Sequence, residues 1–195
     1  MKALSLLLAA ALLVPSAAAA AEHAVLPPGE AAVGADSIYL LGGTYEDQNG
    51  KPFRLEELQG KPVLISMFYA TCPHACPMLI TDLKRVERAL PEHLRDEVQV
   101  VLVTFDPDRD TAEKMKALLE AHQVDAKRWR MLRTEPARVQ ELAAVLGIKY
   151  RFTAKGAINH STVITLLDQK GVIAERTEGL RQPEGPLVSK LVALQ

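Results

Sequence analysis

Residues 62–78 read PVLISMFYATCPHACPM. Pro62 to Tyr69 form a short, almost continuous apolar run, the pattern of a strand buried on both faces. Beyond the cysteines, Leu79, Leu83, Val86 and Leu90 recur at helical spacing, which predicts a helix over 78–90 that Pro91 ends. Cys72 and Cys76 therefore fall where a buried strand hands over to a helix. The unpaired N–H groups and positive dipole end of a helix N-terminus favour a thiolate there. Pro73 and Pro77 suit a first turn that needs no intrahelical N–H bond.

Working outward, residues 98–105 (VQVVLVTF) predict a second buried strand, and Asp106 to Asp110 a turn. Asp110 with Glu113 three residues later makes a capping box for a helix reaching Ala121 or His122. Arg130 to Leu132 suit a short strand, and Pro136 to Leu146 a helix stopped by Gly147. Ser161 to Asp168 and Val172 to Glu175 flank Gln169–Lys170–Gly171 as a hairpin, and a last helix spans Pro186 to Ala193. Strands alternating with helices, then a hairpin and a helix, make an α/β sandwich. Cysteines at a strand-to-helix junction sharpen this to a thioredoxin-like fold: a central mixed β-sheet flanked by helices, over residues 36–195.

The N-terminus has a different composition. Lys2 precedes an apolar run from Ala3 to Val14, and small residues follow Pro15 and Ser16 through Ala21. This predicts a cleavable signal peptide over residues 1–21, cut near Ala18–Ala20. The run is shorter than the ~20 residues of a membrane span, so no permanent membrane anchor is expected; retention of the leader is the alternative. Residues 22–35, with Pro27, Pro28 and Gly29, read as a flexible arm. Export implies a periplasmic location, where disulfides persist. The 23 basic and 24 acidic residues are interspersed and only 5% of residues are aromatic, so nucleic acid is not an expected partner.

The chain holds only two cysteines, four positions apart. A bridge closing so short a loop stabilises little, so the pair is chemical rather than structural. A C-x-x-C pair is the usual dithiol motif; here one more residue separates the sulfurs. Two soft thiolates select soft ions, Cu(I) foremost, whereas a structural zinc site would want four ligands. A third ligand must come from elsewhere. His23 lies in the arm, His93 and His122 sit near helix ends facing solvent, and His74 faces outward from between the cysteines. His160 stands where a loop enters the strand at Ser161, and thioredoxin-like folds pack that loop beside the cysteines. Met78, Trp129 and the phenylalanines read as core. Dithiol exchange on another exported protein, with Cys72 attacking and Cys76 resolving, is the competing chemistry.

Three motifs in order, Cys72-Pro73-His74-Ala75-Cys76-Pro77, Thr104 to Thr111 (TFDPDRDT) and Asn159-His160-Ser161, resemble the Sco/SenC family over nearly the whole domain. The resemblance implies copper, as Cu(I), Cu(II) or both, held by Cys72, Cys76 and His160. It also implies a periplasmic or inner-membrane setting and a partner that is an exported copper protein, a cytochrome c oxidase subunit. Some members of that family deliver copper; others reduce the thiols of the oxidase's binuclear site. The Asp106–Asp110 segment matches the family's D-P-x-R-D-T loop, which puts Asp106 near the metal. Asn159 departs from the acidic residue common before the family's histidine.

Overall fold

The computed structural model describes residues 34–72, 74–154 and 156–194. The expected signal peptide and all but the end of the expected arm, His23 included, lie outside the described residues, as does Pro73.

The apolar run at 63–68 forms β3 (Val63–Phe68), all six residues of it buried. It sits between β4 (Gln99–Thr104), which runs parallel to it, and β8 (Val163–Leu167), antiparallel on its other edge. Continuous apolar sequence is what a strand covered on both faces requires. The sheet extends through β5 (Trp129–Arg133), parallel to β4, and ends in the hairpin of β1 (Tyr45–Asp47) and β2 (Pro52–Phe53). On the far side β9 (Ile173–Glu178) pairs with β8. The order is β2-β1-β5-β4-β3-β8-β9, a mixed sheet as expected. The β1–β2 hairpin escapes sequence patterning because two- and three-residue strands carry no period.

Helices α1 (Ala75–Ala89), α3 (Ala112–Ala121), α4 (Pro136–Leu146) and α5 (Gly185–Ala193) flank the sheet, and α2 (Glu92–Arg95) is a single turn after Pro91. Gly147 stops α4 in the left-handed conformation, φ 73°, that its lack of a Cβ makes cheap. A separate two-stranded sheet, β6 (Tyr150–Phe152) with β7 (Ile158–His160), precedes β8.

Several expectations need correction. Helix α1 begins at Ala75, three residues before the apolar periodicity, because its first turn carries Cys76 and Pro77 rather than the repeat. Its buried face is Cys76, Leu79, Ile80, Leu83 and Val86, which leaves Met78 off that face and only half-buried. Asp110 does not cap α3. Thr111 does, accepting from Lys114 N at 3.4 Å, while Asp110 is fully buried. Trp129, Phe53, Phe68 and Phe105 are core, but Phe152 is 55% exposed on β6. His93 faces solvent; His122 is half-buried at the end of α3, and its carbonyl accepts from Lys84 Nζ at 2.8 Å.

Candidate metal centre

The loop leaving β3 brings both cysteines to the start of α1. Cys76 is 2% exposed and Cys72 9%. The Cys76 N–H, one of the unpaired donors of the helix's first turn, points at Cys72 Sγ over 3.4 Å. The Tyr69 N–H in turn points at Cys76 Sγ over 3.5 Å. Each sulfur is therefore faced by a main-chain donor, an arrangement that favours negative charge.

The two thiols respond oppositely. Burial pushes Cys72 up, but hydrogen bonds from the Cys76 and His74 N–H groups, the Cys76 thiol and the Tyr69 hydroxyl outweigh it, and its pKa falls below the ordinary thiol value. Burial pushes Cys76 up strongly; the Tyr69 N–H opposes this, while the charges of Cys72 and Asp110 add to it. Cys72 thus gives up its proton more readily than an ordinary thiol, and Cys76 less readily.

Asp110 fixes the loop that carries them. One of its carboxylate oxygens accepts the Ala70 N–H at 2.9 Å and the Thr104 hydroxyl. Its other oxygen is buried without a hydrogen bond. Burial raises the Asp110 pKa; the bonds from Thr104 and Ala70 oppose that rise.

His160 arrives from the opposite side. The structure places it in β7, not in a loop, paired with Tyr150 across the small sheet. The ring of Phe105 lies 4.9 Å from the His160 ring and 4.9 Å from that of Tyr150. Since Phe105 N–H donates to Phe68 O at 2.7 Å, the residues that end β3 and follow β4 build a seat for the imidazole. His160 Nδ1 stands 3.0 Å from the carbonyl oxygen of Ser161. A carbonyl can only accept, so Nδ1 carries the proton and Nε2 presents a lone pair.

Donor atoms of Cys72, Cys76 and His160 all lie within 4.8 Å of one another, and no other such group of His, Cys, Asp or Glu occurs among the described residues. Asp106 is not part of the cluster; its carboxylate is paired with Arg109 Nε, and Arg109 Nη2 donates to Gly156 O at 2.8 Å, tying that loop to the β6–β7 turn. His74 is exposed, as expected. Two sulfurs and one imidazole fit copper well: thiolates take Cu(I) and imidazole suits either oxidation state. Nothing in the sequence pattern marks Tyr69, Phe105 and Asp110 as parts of the site. The first two stand at ends of buried strands, where an aromatic residue reads as core. The third reads as a helix cap.

A thioredoxin-like domain with a Cys–Cys–His cluster at its strand-to-helix junction defines a class of thiol- and metal-handling proteins. A family model described as SCO1/SenC matches residues 39–194, and the chain belongs to that family. A protein of Stutzerimonas stutzeri described as a candidate copper-binding protein is 31% identical over 104 residues, 53% of this chain and 50% of its own. A SCO2-like protein of Rickettsia felis is 33% identical over 94 residues, 47% of this chain and 45% of its own. The matched region is thus about half the length of these curated relatives. ScoI of Bradyrhizobium japonicum, solved with copper bound, superposes with a TM-score of 0.65 at 27% identity, covering 79% of this chain and 98% of that one.

Proposed function

We propose that this chain is an exported copper metallochaperone, whose cargo ion is held by Cys72, Cys76 and His160 and passed to an exported copper protein, a cytochrome c oxidase subunit. The convergence of the three donors within 4.8 Å carries the reading. Family membership supports it, as does the copper-bound relative. The cleavable leader over 1–21 and the arm over 22–35 belong to the same reading, with periplasmic residence. No helix among the described residues is long and apolar enough to cross a membrane.

The residues' work follows from their surroundings. Cys72, already favoured as thiolate, takes the ion first; Cys76 gives up its proton on ligation, and His160 Nε2 completes the set. Both cysteines are buried and His160 is only half-buried, so an acceptor's ligands reach the ion from the histidine's side. Three donors leave room for a fourth from the acceptor, so the ion moves by ligand exchange without leaving coordination.

Copper titration of the reduced chain tests this. One ion per chain is expected. Cys72→Ser, Cys76→Ser and His160→Ala should each weaken binding by more than about 100-fold, beyond the 10–100-fold typical of residues that only support a ligand. His160→Ala binding copper as tightly as the parent overturns the three-donor site.

The opposite pKa directions of the two cysteines favour a second reading, thiol–disulfide exchange on the acceptor. The Cys72 thiolate attacks a substrate disulfide, displacing one substrate thiol. Cys76 then attacks Cys72 of the mixed disulfide, releasing the second substrate thiol and leaving a Cys72–Cys76 disulfide. His160→Ala should leave this exchange rate unchanged, which separates the two activities.

A further inference from the structure

The aromatic residues beside His160 do not end at the site. Phe105 lies against the His160 and Tyr150 rings, and Tyr150 meets Phe152 edge-on, with centroids 6.1 Å apart and planes at 74°. The row of rings thus runs from the buried Phe105 out to Phe152, which is 55% exposed. A single exposed phenylalanine is ordinary. This one stands on the rim of a cleft of about 430 Å³ whose apolar walls are Phe105, Pro107, Pro136, Val139, Tyr150 and Phe152. Beyond Tyr150 a second hollow, of about 310 Å³, is bordered by Lys149, Arg151, Asn159 and His160. Tyr150 is the wall the two share.

The charges around these hollows do not cancel. Arg109 is paired with Asp106, and Lys114 Nζ, which donates to Arg109 O at 2.7 Å, offsets the exposed Asp108. Lys149 and Arg151 are exposed, and neither side chain has a carboxylate partner among the described residues. A chain of formal net charge -1 therefore turns a positive rim toward the side on which His160 stands. We propose that this face is the docking surface for the copper acceptor. The occupant is an exported protein that brings a protruding apolar side chain into the cleft and acidic residues against Lys149 and Arg151. The acceptor's identity rests on the metallochaperone reading; the position of the surface does not. With both cysteines buried, an acceptor seated against Phe105 and Tyr150 stands one ring away from His160, the donor it has to reach. The apolar anchor supplies most of the affinity, as aromatic contacts at the centre of an interface do. The charges speed encounter and set orientation.

The probe is the exported copper domain of the oxidase subunit from the chain's own organism. It is titrated calorimetrically into the reduced chain with both proteins free of copper, so that docking is read apart from transfer. Phe152→Ser, at a position already open to water, should weaken binding about tenfold or more at low and high salt alike. Arg151→Glu and Lys149→Glu should each weaken it about fivefold to tenfold at low salt, and much less at about 0.5 M, where exposed charges are screened. Val192→Ser, at an exposed position on α5, which packs on α1 and β9, should change it less than about twofold. Phe152→Ser should still bind one copper ion as tightly as the parent.

Docking that Phe152→Ser leaves within about twofold of the parent overturns the proposal, as does a parent that does not bind the domain. So does a Phe152→Ser chain that loses copper affinity in step with docking, which would make the residue a support of His160. Two other occupants are read on the same variants. Self-association in sedimentation, or binding to phosphatidylglycerol vesicles, that Phe152→Ser abolishes while domain binding persists would give the face to a second copy or to a membrane, and overturn the proposal. Docking as expected by a parent that binds no copper sinks the metallochaperone reading alone.

Discussion

The cysteines and His160 converge from supports of very different strength. Cys72 and Cys76 hang from the end of β3, a fully buried strand held on both edges, and from the first turn of α1. His160 ends a three-residue strand in a two-stranded sheet, steadied by Phe105, by the Ser161 N–H to Lys149 O bond of 2.8 Å and by Arg109 gripping Gly156. A two-stranded sheet is marginal alone, and segments with few buried contacts open before the core does. The sulfurs are thus fixed by the domain's own folding, and the imidazole by contacts at its rim. Such a division would suit the proposed delivery of an ion, since one donor could yield while the other two stay in place.

The largest effect should come from loosening the sulfur side at its anchor. Asp110→Ala strands the Ala70 N–H and the Thr104 hydroxyl, and each buried donor left unpaired costs about 1–3 kcal/mol. Burying a carboxylate with one oxygen unpartnered offsets part of this, so a loss near 2–3 kcal/mol is expected in urea unfolding. Burial holds the Asp110 pKa above its ordinary value. Its contribution is therefore fully present below that value, around pH 4, and shrinks as pH rises through the folded one. The deficit of Asp110→Ala should accordingly be larger near pH 4 than near pH 7. A loss below about 0.5 kcal/mol at both would show that the loop is held by something else.

Next in size is the contrast between the sulfurs themselves. At neutral pH iodoacetamide should alkylate Cys72 about 10–100-fold faster than Cys76, since the thiolate is the nucleophile and only Cys72 is held below the ordinary thiol range. The Cys72 rate should level off at a pH below that range. Mass spectrometry of the singly modified chain reads the ratio, and equal labelling would erase the distinction between an attacking and a guarded sulfur.

What the sequence made legible follows the same division. The apolar runs of β3, β4 and β8 have one reading, because only doubly covered strands are apolar throughout, and they place the cysteines without further help. His160 was expected beside them from the way thioredoxin-like folds pack, although the small sheet that carries it left no period in three-residue strands. Phe152 reads as core by residue type but is exposed, because on a two-stranded sheet there is no second layer to cover it. Asp110 reads as a helix cap because a helix-start pattern and a buried clamp look alike when the partner, the Ala70 N–H, lies 40 positions away.

On the histidine side, Phe105→Leu should cost about 1 kcal/mol. It keeps an apolar group in the core but loses two ring contacts, and aromatic pairs are worth about 0.5–1.5 kcal/mol beyond the area they bury. Its sharper consequence is selective. The imidazole loses its seat while the sulfurs keep theirs, so Cu(II) affinity should fall more than Cu(I) affinity, which two thiolates largely supply. Parallel titrations with the two ions check this; equal losses would mean that Phe105 supports the whole cluster and that the two supports are not independent.

The smallest effect should be Thr111→Ala, one position beyond the buried carboxylate. Thr111 caps α3 through a hydrogen bond of 3.4 Å, long for its kind, so the loss should fall near 0.5 kcal/mol, the low end for such caps. Because Asp110 remains in place to hold Ala70, the alkylation ratio of the two cysteines should stay as in the parent. In Asp110→Ala that ratio should collapse as the loop loosens. Neighbouring substitutions would then differ in kind as well as size, one shortening a helix and the other slackening the support of the sulfurs. Should Thr111→Ala change the ratio too, the start of α3 would itself be part of that support, and the division between a rigid sulfur side and a yielding histidine side would have to include the whole loop from Thr104 to Thr111.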